Sequence, residues 1–246
     1  MRKTTIFILS LCALTFVSCS DDEKTYKVYS DGTENNYSYV DLGLTSGTLW
    51  ATINVGATKP QDAGNYYAWG EVTHQADNAY TPESYLFYVD GEPEYSKYNT
   101  TDAKDELDIE DDAANVNWGG NWKTPTIAQW NELKSECYWV LTTNYNNSKA
   151  TGYIVYKAKE ETDKGKFVYL GENPSPSYNL SDAHIFLPAS GYRAYNKLWY
   201  AGMTDSFIYC YYLSSSKSNN FGLGITQGTV NNLPFAGQPV RPVFKP

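Results

Sequence analysis

The last third of the chain is rich in tyrosine, asparagine, serine and glycine, which bind ligands by stacking and hydrogen bonding without a covalent step. Tyrosine offers a wide, stiff contact surface at low entropic cost, and the smaller residues adapt their hydrogen bonds. The same residues are ordinary turn formers in a loop-rich β-region, so a binding role and a structural role both remain open. The candidate binding residues are Tyr195, Asn196, Trp199, Tyr200, Tyr209, Tyr211, Asn219, Asn220, Asn231 and Asn232.

Strand alternation decides which of these rings share a face. A strand predicted over residues 207–213 sends successive side chains to opposite faces, so Tyr209 and Tyr211 lie together and the even-numbered residues lie opposite. We expect the face with the two tyrosines to meet the ligand.

Trp199 is the tryptophan best suited to binding, because it lies in the polar stretch NKLWYAG. The other six tryptophans lie among apolar residues, and we expect them to pack in the core, where one ring buries about 150–250 Å². These six are Trp50, Trp69, Trp118, Trp122, Trp130 and Trp139.

The sequence gives little support for a catalytic function. The two histidines, His74 and His184, have no partners at the spacing of a metal site or a catalytic triad, and we expect His184 to be structural. Carboxylates are so numerous that any pair chosen as glycosidase acid and base would be arbitrary. We therefore expect a protein that is not an enzyme and needs no cofactor, with a glycan-processing enzyme as the lowest-ranked alternative.

The charged residues offer two further candidate sites. The acidic run at 102–112 has the oxygen ligands that Ca²⁺ prefers but lacks the spacing of an EF-hand loop, so we expect a solvated loop without a metal. Asp111 and Asp112 in this run are alternative partners for a buried arginine. Arg193 and Arg241 flank predicted strands, and either residue could clamp an anionic ligand. Burial against a carboxylate suits the guanidinium fork and is the favoured interpretation.

Cys19 marks a predicted boundary near the front of the chain. Arg2 and Lys3 precede an apolar stretch, 6–17, which is too short to span a bilayer of about 30 Å and is typical of a secretory signal. FVSC (16–19) resembles a bacterial lipobox, and the acidic residues that follow resemble the export tag of Bacteroidota surface lipoproteins. This resemblance implies an acylated Cys19 and an outer-membrane lipoprotein that faces outward and contacts the membrane only through its lipid. The predicted parts are a lipoprotein signal peptide (1–18), an acylated N-terminus with a polar tether (19–37) and one domain (38–246).

Charge and cysteine content limit the partners and the chemistry. The net charge of −9 would repel a phosphate backbone, so we expect no nucleic-acid partner. Cys137 and Cys210 are the cysteines of the predicted domain. They either form one disulfide or remain two buried free thiols, and the sequence leaves both possibilities open.

One helix and several short strands must position these side chains. The stretch from Thr126 to Cys137 begins with a capping box, since Gln129 follows Thr126 by three residues, and its apolar residues recur at steps of three and four. Short apolar runs flanked by turn residues predict strands at 49–55, 66–69, 153–156, 167–170, 185–187, 207–213, 221–226 and 240–244. One helix among many short strands and long loops indicates the α+β class.

Six motifs occur in order along the predicted domain: VDLGLTSGTLWATINVGA (40–57), YYAWGE (66–71), EDDAANVNWGGNWKTPTIAQWNEL (110–133), IFLPASGYR (185–193), YYLSSS (211–216) and PVRPV (239–243). Together they resemble the Fibrobacter succinogenes major paralogous domain, which is similar to C-type-lectin-like folds. The resemblance implies an α+β domain in which early and late strands pair and a ligand face lies near the late strands. The expected function is recognition of a glycan or protein, or adhesion, at the cell surface. The alternative is a structural surface or fimbria-associated subunit.

Overall fold

The computed structural model describes residues 27–77, 79–92, 94–204, 207–217, 221–223 and 233–246. The predicted signal peptide, Cys19 and the first part of the tether lie outside these residues. The binding candidates Asn219, Asn220, Asn231 and Asn232 also lie outside them.

The described chain combines helices with short strands, which confirms the α+β class. The helices are α1 (Ala113–Trp118) and α2 (Ile127–Glu136). The strands are β1 (Gly32–Glu34), β2 (Tyr37–Val40), β3 (Leu49–Ala51), β4 (Cys137–Tyr145), β5 (Ala150–Lys157), β6 (Phe167–Val168), β7 (His184–Pro188), β8 (Tyr192–Ala194), β9 (Lys197–Trp199), β10 (Met203–Thr204), β11 (Phe207–Ile208), β12 (Cys210–Tyr212), β13 (Phe221–Leu223) and β14 (Val243–Phe244). Neither helix within these residues is long and apolar enough to cross a membrane.

The first sheet joins early and late parts of the sequence in the order β1-β2-β3-β14. Val243 of β14 lies opposite Trp50 of β3 in antiparallel register, which is the pairing that the resemblance implies. Strand β1 lies inside the range predicted as tether, and the Tyr37 ring stacks on Trp118 with 3.7 Å between ring centroids. The folded sheet therefore begins at Gly32, earlier than the predicted boundary at residue 38.

The second sheet has the order β6-β4-β5-β7 and carries the longest strands of the described chain. Strands β4 and β5 pair antiparallel from Cys137 opposite Lys157 to Tyr145 opposite Ala150. Strand β6 adds in parallel to β4, and β7 pairs antiparallel with β5. This sheet supplies the support on which the later strands pack.

Helix α2 has the predicted capping box. The Thr126 hydroxyl accepts from the Gln129 amide at 3.2 Å, and the Gln129 side chain accepts from the Thr126 amide at 2.9 Å. The buried indole of Trp130 donates to the Leu213 carbonyl at 3.2 Å, which ties the helix to the chain just after β12. The helix ends at Glu136, and Cys137 begins β4 instead of closing the helix.

Several predicted strands are shorter in the structure. The run at 49–55 forms a strand over β3 alone, and the run at 66–69 contributes only an isolated bridge between Tyr67 and Gln238. The run at 240–244 forms only β14. The prediction that six tryptophans pack in the core is confirmed, since each is at most 4% exposed.

Arg241 is fully buried, but its partners differ from the prediction. Its guanidinium donates to the Asn54 side-chain oxygen at 2.8 Å and to the carbonyls of Ala51 and Phe186 at 3.0 and 2.8 Å. The expected carboxylate partner is therefore wrong. Because Ala51 belongs to β3 and Phe186 to β7, the arginine links the two sheets.

Asp112 is not an arginine partner either. Its buried carboxylate caps α1 by accepting from the Ala114 amide at 2.9 Å, and it also accepts from the amide and hydroxyl of Thr124. Burial raises the pKa of Asp112, and these hydrogen bonds oppose that rise. Asp111 forms an ion pair with Lys97. The acidic run is therefore partly ion-paired and partly structural, and not only a solvated loop.

Candidate functional site

Strands β8 and β9 form a hairpin with a two-residue turn, Tyr195 and Asn196. Both turn residues have positive φ, 53° and 61°, as a type I′ turn requires. Asparagine tolerates this left-handed conformation, but for tyrosine it costs about 1–2 kcal/mol. The Tyr195 amide donates to the Tyr80 carbonyl at 3.1 Å and the Asn196 amide to the Ala79 carbonyl at 2.9 Å. The rest of the fold thus holds the tip of the hairpin in place.

Large apolar side chains of this hairpin stand in solvent. The exposed fraction is 52% for Tyr195, 45% for Leu198, 37% for Trp199 and 43% for Tyr200. We call these four side chains the hairpin surface. The Trp199 and Tyr200 rings lie 6.4 Å apart between centroids. Large exposed apolar groups on one element mark interaction sites, so this surface is the strongest candidate for ligand contact.

Tyr200 of the hairpin surface also packs against three other tyrosines. We call Tyr192, Tyr200, Tyr209 and Tyr211 the tyrosine cluster. The Tyr200 ring lies 5.2 Å from Tyr209 and 6.1 Å from Tyr192 and from Tyr211, measured between centroids. The Tyr192 and Tyr211 rings meet edge to face at 5.1 Å. Such packed rings leave Tyr200 little freedom, so its exposed face is presented on a stiff base.

The predicted alternation around β12 is present, but its consequence for Tyr211 differs from the expectation. Ile208, Cys210 and Tyr212 are each at most 1% exposed, as the even-numbered side of the strand should be. Tyr211 is only 7% exposed, because the tyrosine cluster covers it. We therefore assign Tyr211 a supporting position beneath the surface, and Tyr209 an intermediate one.

Two cations accompany the rings. The Arg193 guanidinium lies 4.9 Å from the centroid of the Tyr66 ring, and the Lys197 ammonium lies 5.8 Å from that of Trp199. Neither cation forms an ion pair with a described residue. The buried Nε of Arg193 has no hydrogen-bond partner among the described atoms. Tyr192, Lys197 and Leu198 are parts of this site that were not among the residues predicted from the sequence, although YRAYNKLWY joins rings and cations without an acid.

A tight backbone approach fixes the hairpin to the residues beside it. Gly191 has φ +63°, and a Cβ atom at this position would lie 2.0 Å from the Trp199 carbonyl oxygen and 2.7 Å from the Ala201 nitrogen. Only glycine fits this contact. The indole of Trp199 donates to the Ala194 carbonyl at 3.0 Å, which fixes the ring across the hairpin.

Cys137 and Cys210 are buried free thiols, so the possible disulfide between them is not formed. Both belong to the same apolar cluster, and the Cys210 thiol donates to the Leu187 carbonyl at 3.5 Å. Burial raises the pKa of Cys210 to about 12 and also raises that of Cys137. Thiols held neutral in this way are poor nucleophiles.

A separate open groove of about 1020 Å³ is lined in part by Glu106, Asp112 and Glu132. Two of these carboxylates already serve the fold. Asp112 caps α1 as described, and Glu132 accepts from the amide and hydroxyl of Ser46, each at 2.6 Å. Both of these carboxylates are thus engaged in hydrogen bonds that hold the fold together.

His184 is structural, as predicted. Its Nδ1 lies 2.8 Å from the Asp182 carbonyl oxygen and therefore carries the proton, while Nε2 lies 3.0 Å from the Tyr145 hydroxyl and accepts from it. Burial lowers the pKa of His184. Within the described residues, no three histidine, cysteine, aspartate or glutamate side chains are grouped so that they could hold a metal ion.

Comparison with known proteins does not assign this chain to a family. No family model, no curated protein and no solved structure matches this chain.

Proposed function

We propose that this chain is a lipid-anchored surface protein whose C-type-lectin-like domain binds a ligand without catalysis. The observation that carries the proposal is the hairpin surface, where Tyr195, Trp199 and Tyr200 stand in solvent on well-supported backbone. The ligand is a glycan or a protein that lays an apolar face on these rings and forms hydrogen bonds at their margins.

Rigidity supports a binding role over a purely structural one. The turn at Tyr195 is tied to the neighbouring 79–80 segment, and Tyr200 rests on the tyrosine cluster. Because rings that are already ordered lose little entropy when a ligand arrives, such a surface binds more tightly than a mobile one of equal area. Aromatic residues are also enriched among those that dominate binding energy.

The proposed C-type-lectin-like fold rests on the six ordered motifs together with the β3–β14 pairing. The proposed location on the outer membrane, facing outward, rests on the pattern from Arg2 to Glu23. Neither the proposed fold nor the proposed location depends on the hairpin surface. Failure of one of these proposals would therefore leave the proposed ligand binding standing.

Replacement of Trp199 by alanine tests the binding role. We expect the full chain to retain glycans on an array, or a surface protein in a pull-down, and W199A to lose at least about tenfold in affinity, or about 1.4 kcal/mol. The matched control is L86A, because Leu86 is 63% exposed but lies outside the hairpin. Equal loss in both variants, or no retained ligand with the unmodified chain, would contradict the proposal.

The same samples separate the structural alternative. Assembly of the purified chain into filaments or large oligomers without added ligand, unchanged in W199A, would favour a surface subunit instead. The edge strand β1 has only three residues, which is short for templated strand pairing.

A further inference from the structure

The sequence segment that carries the hairpin has the opposite charge balance to the whole chain. The chain carries a formal net charge of −9, yet residues 184–246 contain a single acid, Asp205. The cations of this segment are Arg193, Lys197, Lys217, Arg241 and Lys245. Arg193 and Lys197 belong to the strands of the hairpin itself, whereas Arg241 is fully buried.

Arg193 is the arginine of this segment whose side chain has no hydrogen-bond or ion-pair partner among the described residues. Arg241 has three hydrogen bonds, whereas the Arg193 side chain has no hydrogen bond or ion pair with a described residue and its Nε is buried. The guanidinium lies against the Tyr66 ring; burial raises the pKa of Tyr66, and the nearby Arg193 charge opposes that rise. Arginine in this state retains its bidentate fork for an added carboxylate.

The hairpin register places an apolar contact beside this fork. Arg193 pairs with Leu198 across the strands, so their side chains share a face, and Leu198 is exposed. The exposed ring of Tyr195 stands at the turn that joins the two strands. A group that binds Arg193 would therefore have apolar surface within reach.

Resting on the proposed function, we infer that the ligand is an acidic glycan and that Arg193 binds the carboxylate of one of its sugars. A uronic acid presents an apolar ring face and a carboxylate in one compact unit, which matches the exposed Leu198 and Tyr195 beside a guanidinium that has no ion pair with a described residue. An acidic peptide has the same charge but lacks the flat C–H face, and it enters the test as a competitor.

Arginine side-chain resonances provide a direct test, because the sequence contains only Arg2, Arg193 and Arg241. The full chain labelled with ¹⁵N-arginine is titrated with glucuronate or with methyl glucoside, and R193M assigns the signal. We expect the Arg193 Nε–H resonance to shift with glucuronate alone, while Arg241, held by Asn54, stays fixed. A shift with both sugars or with neither overturns the inference.

Asp205 lies outside the described residues, so an ion pair between Asp205 and Arg193 must be tested as the alternative to a ligand carboxylate. In D205N without sugar, we expect the Arg193 resonance to match that of the unmodified chain. If the resonance moves, Asp205 is the partner of Arg193 and the ligand carboxylate is not needed.

Glycan binding separates failure of the inference from failure of the proposed function. On an array we expect R193M to lose uronate-containing glycans at least tenfold and R193K to lose them less, while K245M, which removes an exposed cation outside the hairpin, retains them. Loss in W199A with none in R193M would overturn the inference but leave the proposed function standing. Absence of all glycan binding, or competition by acidic peptide alone, would overturn the acidic-glycan assignment.

Stability distinguishes a ligand-binding arginine from a structural one. Methionine keeps the apolar stem, so we expect R193M to leave the urea midpoint unchanged or higher, since Arg193 Nε has no described partner to lose. The same change at Arg241 leaves three buried acceptors unpaired and should lower the midpoint clearly. A fall of similar size in R193M would mark Arg193 as structural.

Discussion

Tyr195 combines conformational strain with high exposure. Its φ of +53° is unfavourable for a residue with a Cβ atom, and the ring is 52% exposed, with one described ring contact, to Phe235 at 5.4 Å between centroids. A residue selected for stability alone at this turn position would be asparagine or glycine. Tyrosine in this position is therefore consistent with selection for what its ring contacts.

Two substitutions separate strain from binding at Tyr195. Both Y195N and Y195V remove the ring, but only asparagine tolerates positive φ, and a β-branched residue is strongly disfavoured there. We expect Y195N to be more stable than Y195V by about 1 kcal/mol in urea unfolding, with ligand binding weakened in both. Equal stability of the two variants would show that the turn does not impose the left-handed conformation.

At this scale the sequence predicted exposure better than contacts. Trp199, Tyr195 and Tyr200, which their polar sequence surroundings mark as binding candidates, are exposed in the structure. The burial of Tyr211 arises from Tyr192, which lies far from it in the chain, and periodicity carries no such information. The position of the Arg193 guanidinium over the Tyr66 ring likewise joins residues that are distant in sequence.

At the scale of elements, the β8–β9 hairpin depends on one glycine. A methyl group at Gly191 would overlap the Trp199 carbonyl, so the hairpin must move to accept it. We expect G191A to lose ligand binding and to lower the free energy of unfolding by more than the roughly 1–2 kcal/mol that positive φ alone costs alanine. Urea unfolding and the glycan array measure the two effects.

Gly202 supplies the matched control for this substitution. It has φ +75°, but a methyl group added there would meet no atom within 4 Å. G202A should therefore show only the conformational cost and retain binding. If G202A and G191A lose equal stability and binding, the contact with Trp199 has no role.

The boundary between α2 and β4 shows which features a local sequence pattern can predict and which it cannot. The capping box predicts the start of the helix correctly, because a cap is local chemistry. The predicted end is wrong by one residue, since Cys137 continues the helical spacing of apolar residues. The sequence analysis does not predict strand β4, although Tyr138, Trp139 and Val140 have high β-propensity, because its pairing with β5 and β6 fixes it.

At the scale of the whole molecule, the two sheets depend on a residue whose partners could not be read from the sequence. The guanidinium of Arg241 fits the carbonyls of β3 and β7 and the Asn54 amide, in place of the expected carboxylate. The pattern of one capped helix among many short apolar runs predicted the α+β class. It could not predict which strands would place acceptors around this arginine.

The proposed surface location is tested at Cys19. Cells expressing the full chain and fed radiolabelled palmitate should label it, and C19S should abolish the label, because acylation requires the thiol of the lipobox. Protease added to intact cells should also degrade the labelled protein. Two results would contradict the proposed surface location. One is that the full chain stays unlabelled. The other is that the protease degrades the chain after lysis but not on intact cells.

Cys12 gives the control for this experiment. It lies in the apolar stretch that is predicted to be cleaved away, so C12S should retain the label. Loss of label in both variants would point to a disturbed export signal and not to the acylated residue.

The pairing of β3 with β14 has a consequence for how the protein folds. Leu49 and Phe244 lie opposite each other although nearly two hundred residues separate them in the chain. Contacts this distant in sequence form slowly, because a long loop must close first. Strand β14 is made last, so the edge of β3 that pairs with it has no partner while the rest of the chain is synthesised. A nascent chain exposes that unpaired edge for the whole interval. Chaperones that shield such edges should therefore raise the yield of the folded protein.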